Sequence, residues 1–302
     1  MSIWVCGEVL IDLIPVAPGS TDRAPHVGGG PANTAKALAR LGHEVHFIDG
    51  ISTDAYGVMS RDELVNDEVK LDLAKTSELP TALAIVSLNE SGGASYEFKL
   101  DNSATFDFDL NWLPDPSRYK PNVLHIGTLV TVIQPGADVL YDWALQVAEF
   151  APIVFDPNIR PAVMGDRDLY EAAVEKWAAI SSVIKVSDDD VAWLFPDQSL
   201  DDVAERWVRD GAALVVITRG SEGLIGFTAD GAVEVPGVKV EVADTVGAGD
   251  TVGAIVVEAM IEKGIMALTG DVLQDVLHRA AKAAAITCSR PGANPPYKHE
   301  LK

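Results

Sequence analysis

The sequence predicts an α/β fold: a mostly parallel central sheet flanked by helices, with a small β-lid. Three observations predict it. Short β-branched or aromatic runs recur at residues 3–6, 44–48, 123–126, 153–155, 183–186 and 214–218. Helix-length stretches rich in Ala, Leu and Glu separate most of them, and strands alternating with helices imply parallel crossovers that bury both faces of a sheet. One region, 81–108, breaks the alternation with two strand-like segments and no helix between them.

Taken in chain order, run 3–6 supplies the first strand, and segment 11–27 is expected to pair with the later hairpin. A helix is expected over 31–41, because Pro31 suits a first helical position and Gly42 stands just past the end. Run 44–48 returns to the sheet. Within 81–108 a Ser91-Gly92-Gly93 turn joins the two segments, giving a hairpin that reads equally as a lid or as an ordinary edge of the main sheet. Leu214-Val215-Val216-Ile217 is the continuous apolar pattern of a strand covered on both faces. An apolar helix is expected over 252–261. No internal repeat, low-complexity tract or long linker divides the chain, so 1–302 reads as one domain with a lid formed from about 11–27 and 81–108.

Composition narrows the function. Lys and Arg number 23 against 45 Asp and Glu, a formal net charge of −22, which repels nucleic acid and anionic lipid alike. No apolar run reaches the ~18 residues of a membrane span. Met1-Ser2-Ile3-Trp4-Val5 has neither the basic start nor the apolar core of a signal peptide, so the expected location is the cytoplasm. Cys6 and Cys288 are too few and too far apart for a metal knuckle or a redox pair.

Ligand sites in open parallel sheets lie beyond the carboxyl ends of the strands, and three glycine-bearing segments fall there. In the first, Gly28-Gly29-Gly30 strips side chains from the approach to a helix N-terminus, and Asn33 in its first turn both donates and accepts hydrogen bonds. A neutral polyol needs that mixture, and Asp12 would accept from its hydroxyls; a flexible turn before a capped helix would read the same way. The second, Asp244-Thr245-Val246-Gly247-Ala248-Gly249-Asp250, follows Val238-Lys239-Val240-Glu241-Val242 and opens the apolar helix. Small residues at 247–249 let backbone N–H groups converge on an anion, here a phosphoryl group in transfer, with Asp250 positioned to take a proton from an attacking hydroxyl. Its place in a first turn predicts a depressed pKa, tolerable because phosphoryl transfer demands little base strength. Gly247, Gly249 and Gly253 mimic a dinucleotide fingerprint, but too little chain follows for a Rossmann unit. The third, Thr218-Arg219-Gly220-Ser221-Glu222-Gly223, suits nucleotide phosphates but is not a P-loop, and a plain hairpin turn reads identically.

Together, GGGPANTAKALARLG, FDPNIRP, ITRGSEG and DTVGAGD, in that order over nearly the whole chain, resemble the ribokinase-like (PfkB) carbohydrate kinases, and fructokinase-like members in particular. The resemblance implies ATP-dependent phosphorylation of a sugar hydroxyl and a β-lid closing over the sugar. It implies Asp250 as catalytic base and the N–H groups of Gly247, Ala248 and Gly249 as anion hole. Asp12, Gly28, Gly29 and Asn33 match sugar contacts, as do Phe98 and Asn102 on the lid and Asn158 and Arg160 of the DPNxR stretch, which could also approach the phosphates. Lys185, Thr218, Gly220, Gly223, Gly249 and Gly292 match the nucleotide site. Ser187-Asp188-Asp189-Asp190 replaces the family's N-x-x-E element, leaving Asp190 as the water-mediated magnesium contact, although the triplet also reads as a helix N-cap and first turn. Asp244 and the Val246 carbonyl would hold potassium beside the Arg290–Ala293 loop. A homodimer through the lid is implied by analogy.

Three function classes remain in competition. The leading one is a fructose-phosphorylating kinase, with ribokinase and 2-keto-3-deoxygluconate kinase behind it. A non-catalytic sugar sensor would not need the intact Gly-Ala-Gly turn and Asp250, and a nicotinamide-dependent dehydrogenase is disfavoured by the position of its fingerprint.

Overall fold

The computed structural model describes residues 1–17, 20–88 and 94–302, so the expected Ser91-Gly92-Gly93 turn lies outside the described residues. The chain runs through β1 (Ser2–Cys6), β2 (Leu10–Pro15), β3 (Arg23–Gly28), α1 (Gly30–Arg40), β4 (Glu44–Ile48), β5 (Gly50–Ser52), α2 (Ala55–Asn66) and β6 (Lys75–Ser77). Then come β7 (Leu83–Leu88), β8 (Ala94–Lys99), α3 (Pro116–Tyr119), β9 (Val123–Gly127), α4 (Gly136–Ala148), β10 (Ile153–Asp156), α5 (Arg167–Ala178) and β11 (Val183–Ser187). The remainder is α6 (Asp188–Leu194), α7 (Leu200–Arg209), β12 (Leu214–Thr218), β13 (Leu224–Thr228), β14 (Gly231–Val235), α8 (Ala248–Lys263) and α9 (Gly270–Cys288).

The main sheet has strand order β14-β13-β12-β11-β10-β9-β1-β4, parallel from β12 to β4 and antiparallel only at the β13–β14 edge. The six apolar runs are its six parallel strands. Successive strand residues point to opposite faces, and both faces are covered. Ile3, Val5, Val123, Val183 and Leu214 pack with Leu38 of α1, Ile255 of α8 and Leu277 of α9. Trp4, Leu124, Phe155, Ile184 and Val215 pack with Trp143 of α4, Trp177 of α5 and Trp207 of α7. This double covering is why the central strands read as nearly continuous apolar runs. α8 is apolar all round because α1 and α9 sandwich it against the sheet, burying every residue from 250 to 260.

A second sheet, ordered β3-β2-β7-β8, is distinct from the first. β2 joins its two antiparallel hairpins by pairing parallel to β7, with Ile11 opposite Leu83. β5 and β6 form a small parallel pair that the sequence reading did not anticipate; at three residues each they are too short for a periodic signal. Residues 238–242 carry no regular structure, and Val238, Val240 and Val242 are exposed. Among the described residues no helix is long and apolar enough to cross a membrane.

The Trp4 side chain is fully buried in the middle of β1 and stacks on Trp143 at 5.8 Å. Trp4→Ala should cost about 3–5 kcal/mol of unfolding free energy, read as a lowered denaturation midpoint in urea at an unchanged slope.

Candidate active site

The carboxyl ends of β1, β9, β10 and β11 deliver Glu8, Thr128, Asp156 with Asn158, and Ser187 to one edge of the sheet, where the first turns of α1 and α8 meet. The glycine triplet is required there by close approach. A Cβ on Gly28 would lie 2.2 Å from Asp12 Oδ2, and one on Gly29 2.3 Å from the Glu8 carbonyl oxygen. One on Gly30 would meet Asn158 Nδ2 at 2.8 Å, Thr128 Cγ2 at 2.9 Å and Asp250 Oδ1 at 3.2 Å. Gly30 is thus the bare floor of a cradle walled by those three residues. Thr128 and Asn158 hold φ of +60° and +40°, strained for residues with side chains.

Asn33 on α1 donates from Nδ2 to Asp250 Oδ2 at 2.9 Å, bridging the two helix N-termini. The Asn33 Oδ1 is buried without a hydrogen-bond partner among the described residues. Asp250 corrects the expected depressed pKa: burial dominates and raises it to about 6, with Asp156 adding to the rise while Lys185, Asn33 and Arg160 oppose it. The helix first turn is outweighed by desolvation of the carboxylate. The raised value is better matched to proton abstraction near neutrality.

Lys185 Nζ lies 2.9 Å from Asp156 Oδ2 in a buried ion pair, and a Cβ on Gly249 would come within 2.8 Å of the same nitrogen. Burial, the largest influence, opposes the charge of Lys185, yet Asp156 and Asp250 together raise its pKa, so it stays a cation beneath the first turn of α8. Within that turn the Ala248 N–H is engaged by the Thr245 carbonyl at 3.3 Å, whereas first-turn donors generally lack intrahelical acceptors. Asp190 accepts from Ile159 N at 2.9 Å with one oxygen and from Ser187 N at 3.2 Å with the other, completing the capping box of α6. Arg160 is exposed, and instead of a surface ion pair it donates to its neighbour Asn158; its charge still opposes the burial-driven rise of Glu8, Asp12 and Asp250.

A second group lies by the same helix. Asp244 accepts from Val246 N at 3.0 Å and Gly292 N at 2.9 Å, so it bridges the loop before α8 to the loop after α9. Gly247 at φ +78° leaves no room for a side chain, since its Cβ would sit 2.8 Å from the Ala293 Cβ. Thr218, Gly220 and Gly223 form the turn from β12 to β13. Phe98 packs on Leu10, Ala82, Ala84 and Leu129, and Asn102 is exposed in the turn after β8.

The sequence reading missed Glu8 and Thr128 and gave Asp156 no role. Burial, opposed by the Thr128 hydrogen bond, raises the Glu8 pKa to about 7. Both follow a strand end, and that position was the available signal.

Because Asp250 is neutralised more easily folded than unfolded, ionising it costs stability as pH rises from about 4 through about 6. Asp250→Asn, which is neutral throughout, should therefore unfold at higher temperature than wild type at pH 7.5. The gap, on the order of 2–3 kcal/mol, should shrink as pH falls to 5 in a thermal-denaturation series.

The family model for pfkB family carbohydrate kinases matches residues 2–300. A fructokinase of Rhizobium leguminosarum bv. trifolii is 36% identical over 254 residues, covering 83% of this chain and 77% of that protein. Fructokinase-2 of Oryza sativa subsp. japonica is 31% identical over 96% of this chain and 88% of its own length. Among solved structures, a fructokinase from Xylella fastidiosa with bound ATP superposes with a TM-score of 0.91 at 23% identity, covering 99% of this chain and 97% of that one. An uncharacterized sugar kinase from Pyrococcus horikoshii in complex with ATP gives 0.84 at 26% identity, covering 99% and 96%.

Proposed function

The chain belongs to the pfkB family of carbohydrate kinases, and we propose that it transfers the γ-phosphoryl group of ATP to a hydroxyl of fructose. The observation that carries this reading is the Asn33–Asp250 bridge over the bare floor at Gly30: a buried base whose pKa is about 6, facing a side-chain-free cradle.

A sugar hydroxyl entering the cradle would give its proton to Asp250 as its oxygen attacks the γ-phosphorus and the bond from that phosphorus to the β,γ-bridging oxygen breaks, releasing ADP. Asp12, Asn33 and Asn158 hold the remaining hydroxyls, with Glu8 and Thr128 as the far wall. Lys185 beneath Gly249, the N–H groups of Gly247 and Gly249 and the Arg160 field stabilise negative charge on the phosphoryl group in transfer. The turn at Thr218, Gly220 and Gly223, with Gly292, takes the nucleotide. The sheet β3-β2-β7-β8 is the lid, with Phe98 and Asn102 on it, and excludes water that would otherwise compete for the phosphoryl group.

Two ions fit the residues present. Asp156 Oδ1 is buried without a hydrogen-bond partner among the described residues and is a ready acceptor for a water on magnesium, alongside Asp190, whose oxygens already serve two backbone N–H groups. Bound magnesium would neutralise charge on the phosphates. Asp244 and the Val246 carbonyl offer hard oxygen ligands that suit potassium.

An ADP-release assay across a sugar panel tests the reading: fructose should give the highest kcat/KM, and equal rates with ribose or 2-keto-3-deoxygluconate would reassign the substrate. Asp250→Asn should lower kcat about 10²- to 10⁴-fold while calorimetric dissociation constants for sugar and ATP move little. A near-normal kcat would remove Asp250 from the chemistry. Asn33→Ala should weaken sugar binding and leave ATP binding intact; equal losses for both ligands would make Asn33 a structural link between helices.

A further inference from the structure

At the end of α1 and α8 remote from the cradle, three side chains with metal-binding atoms converge. His43 follows the turn that closes α1, and Glu258 and Glu262 stand one turn apart on α8. Their ligand atoms all lie within 4.8 Å of one another. Glu258 is only 3% exposed, and Arg279 of α9 grips its Oε2 from Nε and Nη2, each at 3.0 Å. The other oxygen, Oε1, faces His43 Nε2 at 3.6 Å, and neither atom has a hydrogen-bond partner among the described residues.

That separation is too long for a hydrogen bond. It suits two ligands sharing one ion, because atoms at about 2.0–2.2 Å from a tetrahedral centre stand roughly 3.3–3.6 Å apart. We propose that His43, Glu258 and Glu262 form a three-ligand site for a zinc-class divalent metal, with water completing the tetrahedron. An imidazole with two carboxylates selects a borderline transition metal over magnesium or calcium, which take oxygen alone. Arg279 then acts as the outer hydrogen-bond donor that fixes a ligating carboxylate. Lys298 Nζ, 3.6 Å from Glu262 Oε1 and more than half exposed, swings into solvent when the metal takes its place. The carboxyl-terminal dipole ends of α1 and α8 favour a cation here as well. The ion would tie together the last turns of the two helices whose first turns carry Asn33 and Asp250.

The test uses the untagged full chain stripped with a chelator and titrated with zinc alone by calorimetry, with thermal unfolding followed in parallel. Wild type should bind one equivalent and unfold at higher temperature with it. Glu262→Gln, at an exposed position, should fold normally yet lose at least tenfold in affinity together with the thermal shift. His43→Gln should do the same, and His46→Gln, at a separate cluster with Asp72 and Glu44, should bind as wild type does. Absence of one-equivalent binding overturns the site, as does undiminished binding in Glu262→Gln or loss of binding in His46→Gln.

Discussion

The buried Lys185–Asp156 pair is the contact on which the site depends. Asp156, Asp190, Asp250 and Glu8 crowd one end of the sheet, and Lys185 is the fully buried cation among them. Removing one partner of such a pair leaves an uncompensated charge that typically costs about 3–5 kcal/mol. Burial, opposed by the charge of Arg160, raises the pKa values of Glu8, Asp12 and Asp250 on the same edge. A site in that condition gains when positive charge arrives, and its glycine floor leaves that charge space to enter.

Much of this was legible in the sequence, for a physical reason. Strands covered on both faces are mostly apolar, so all six parallel strands stood out as apolar runs even with His125 and Lys185 within them. Pro31 and Gly42 marked α1 to within a residue at each end. The glycines and small residues at 28–30 and 247–249 were visible because nothing else fits against Asp12, Glu8, Asn158, Lys185 and Ala293.

What escaped the sequence depends on distance across the fold. The pKa of Asp250 was expected to fall because the local rule about helix first turns is readable, whereas its burial beneath α1 and beside Asp156 is not. Glu8 and Thr128 carry no motif of their own and matter only as neighbours of Gly29 and Gly30. The pairing of segment 11–27 with the later hairpin, by contrast, was expected and is observed between β2 and β7. Val238, Val240 and Val242 mimic a strand, but no neighbour offers them an edge.

The Asn33–Asp250 bond spans 217 residues, and the turn bearing Asp250 is itself shaped by Ala293 packing on Gly247. During synthesis β1, α1 and β4 emerge early and the Thr128 and Asn158 walls follow, yet the Asp250 wall is missing until most of the chain has been made. Closure of such a long loop is slow, and the exposed α1 face must wait for α8 in the interval. Truncated or stalled chains therefore carry the glycine floor without Asp250. Incomplete chains present an apolar helix face that quality control can recognise.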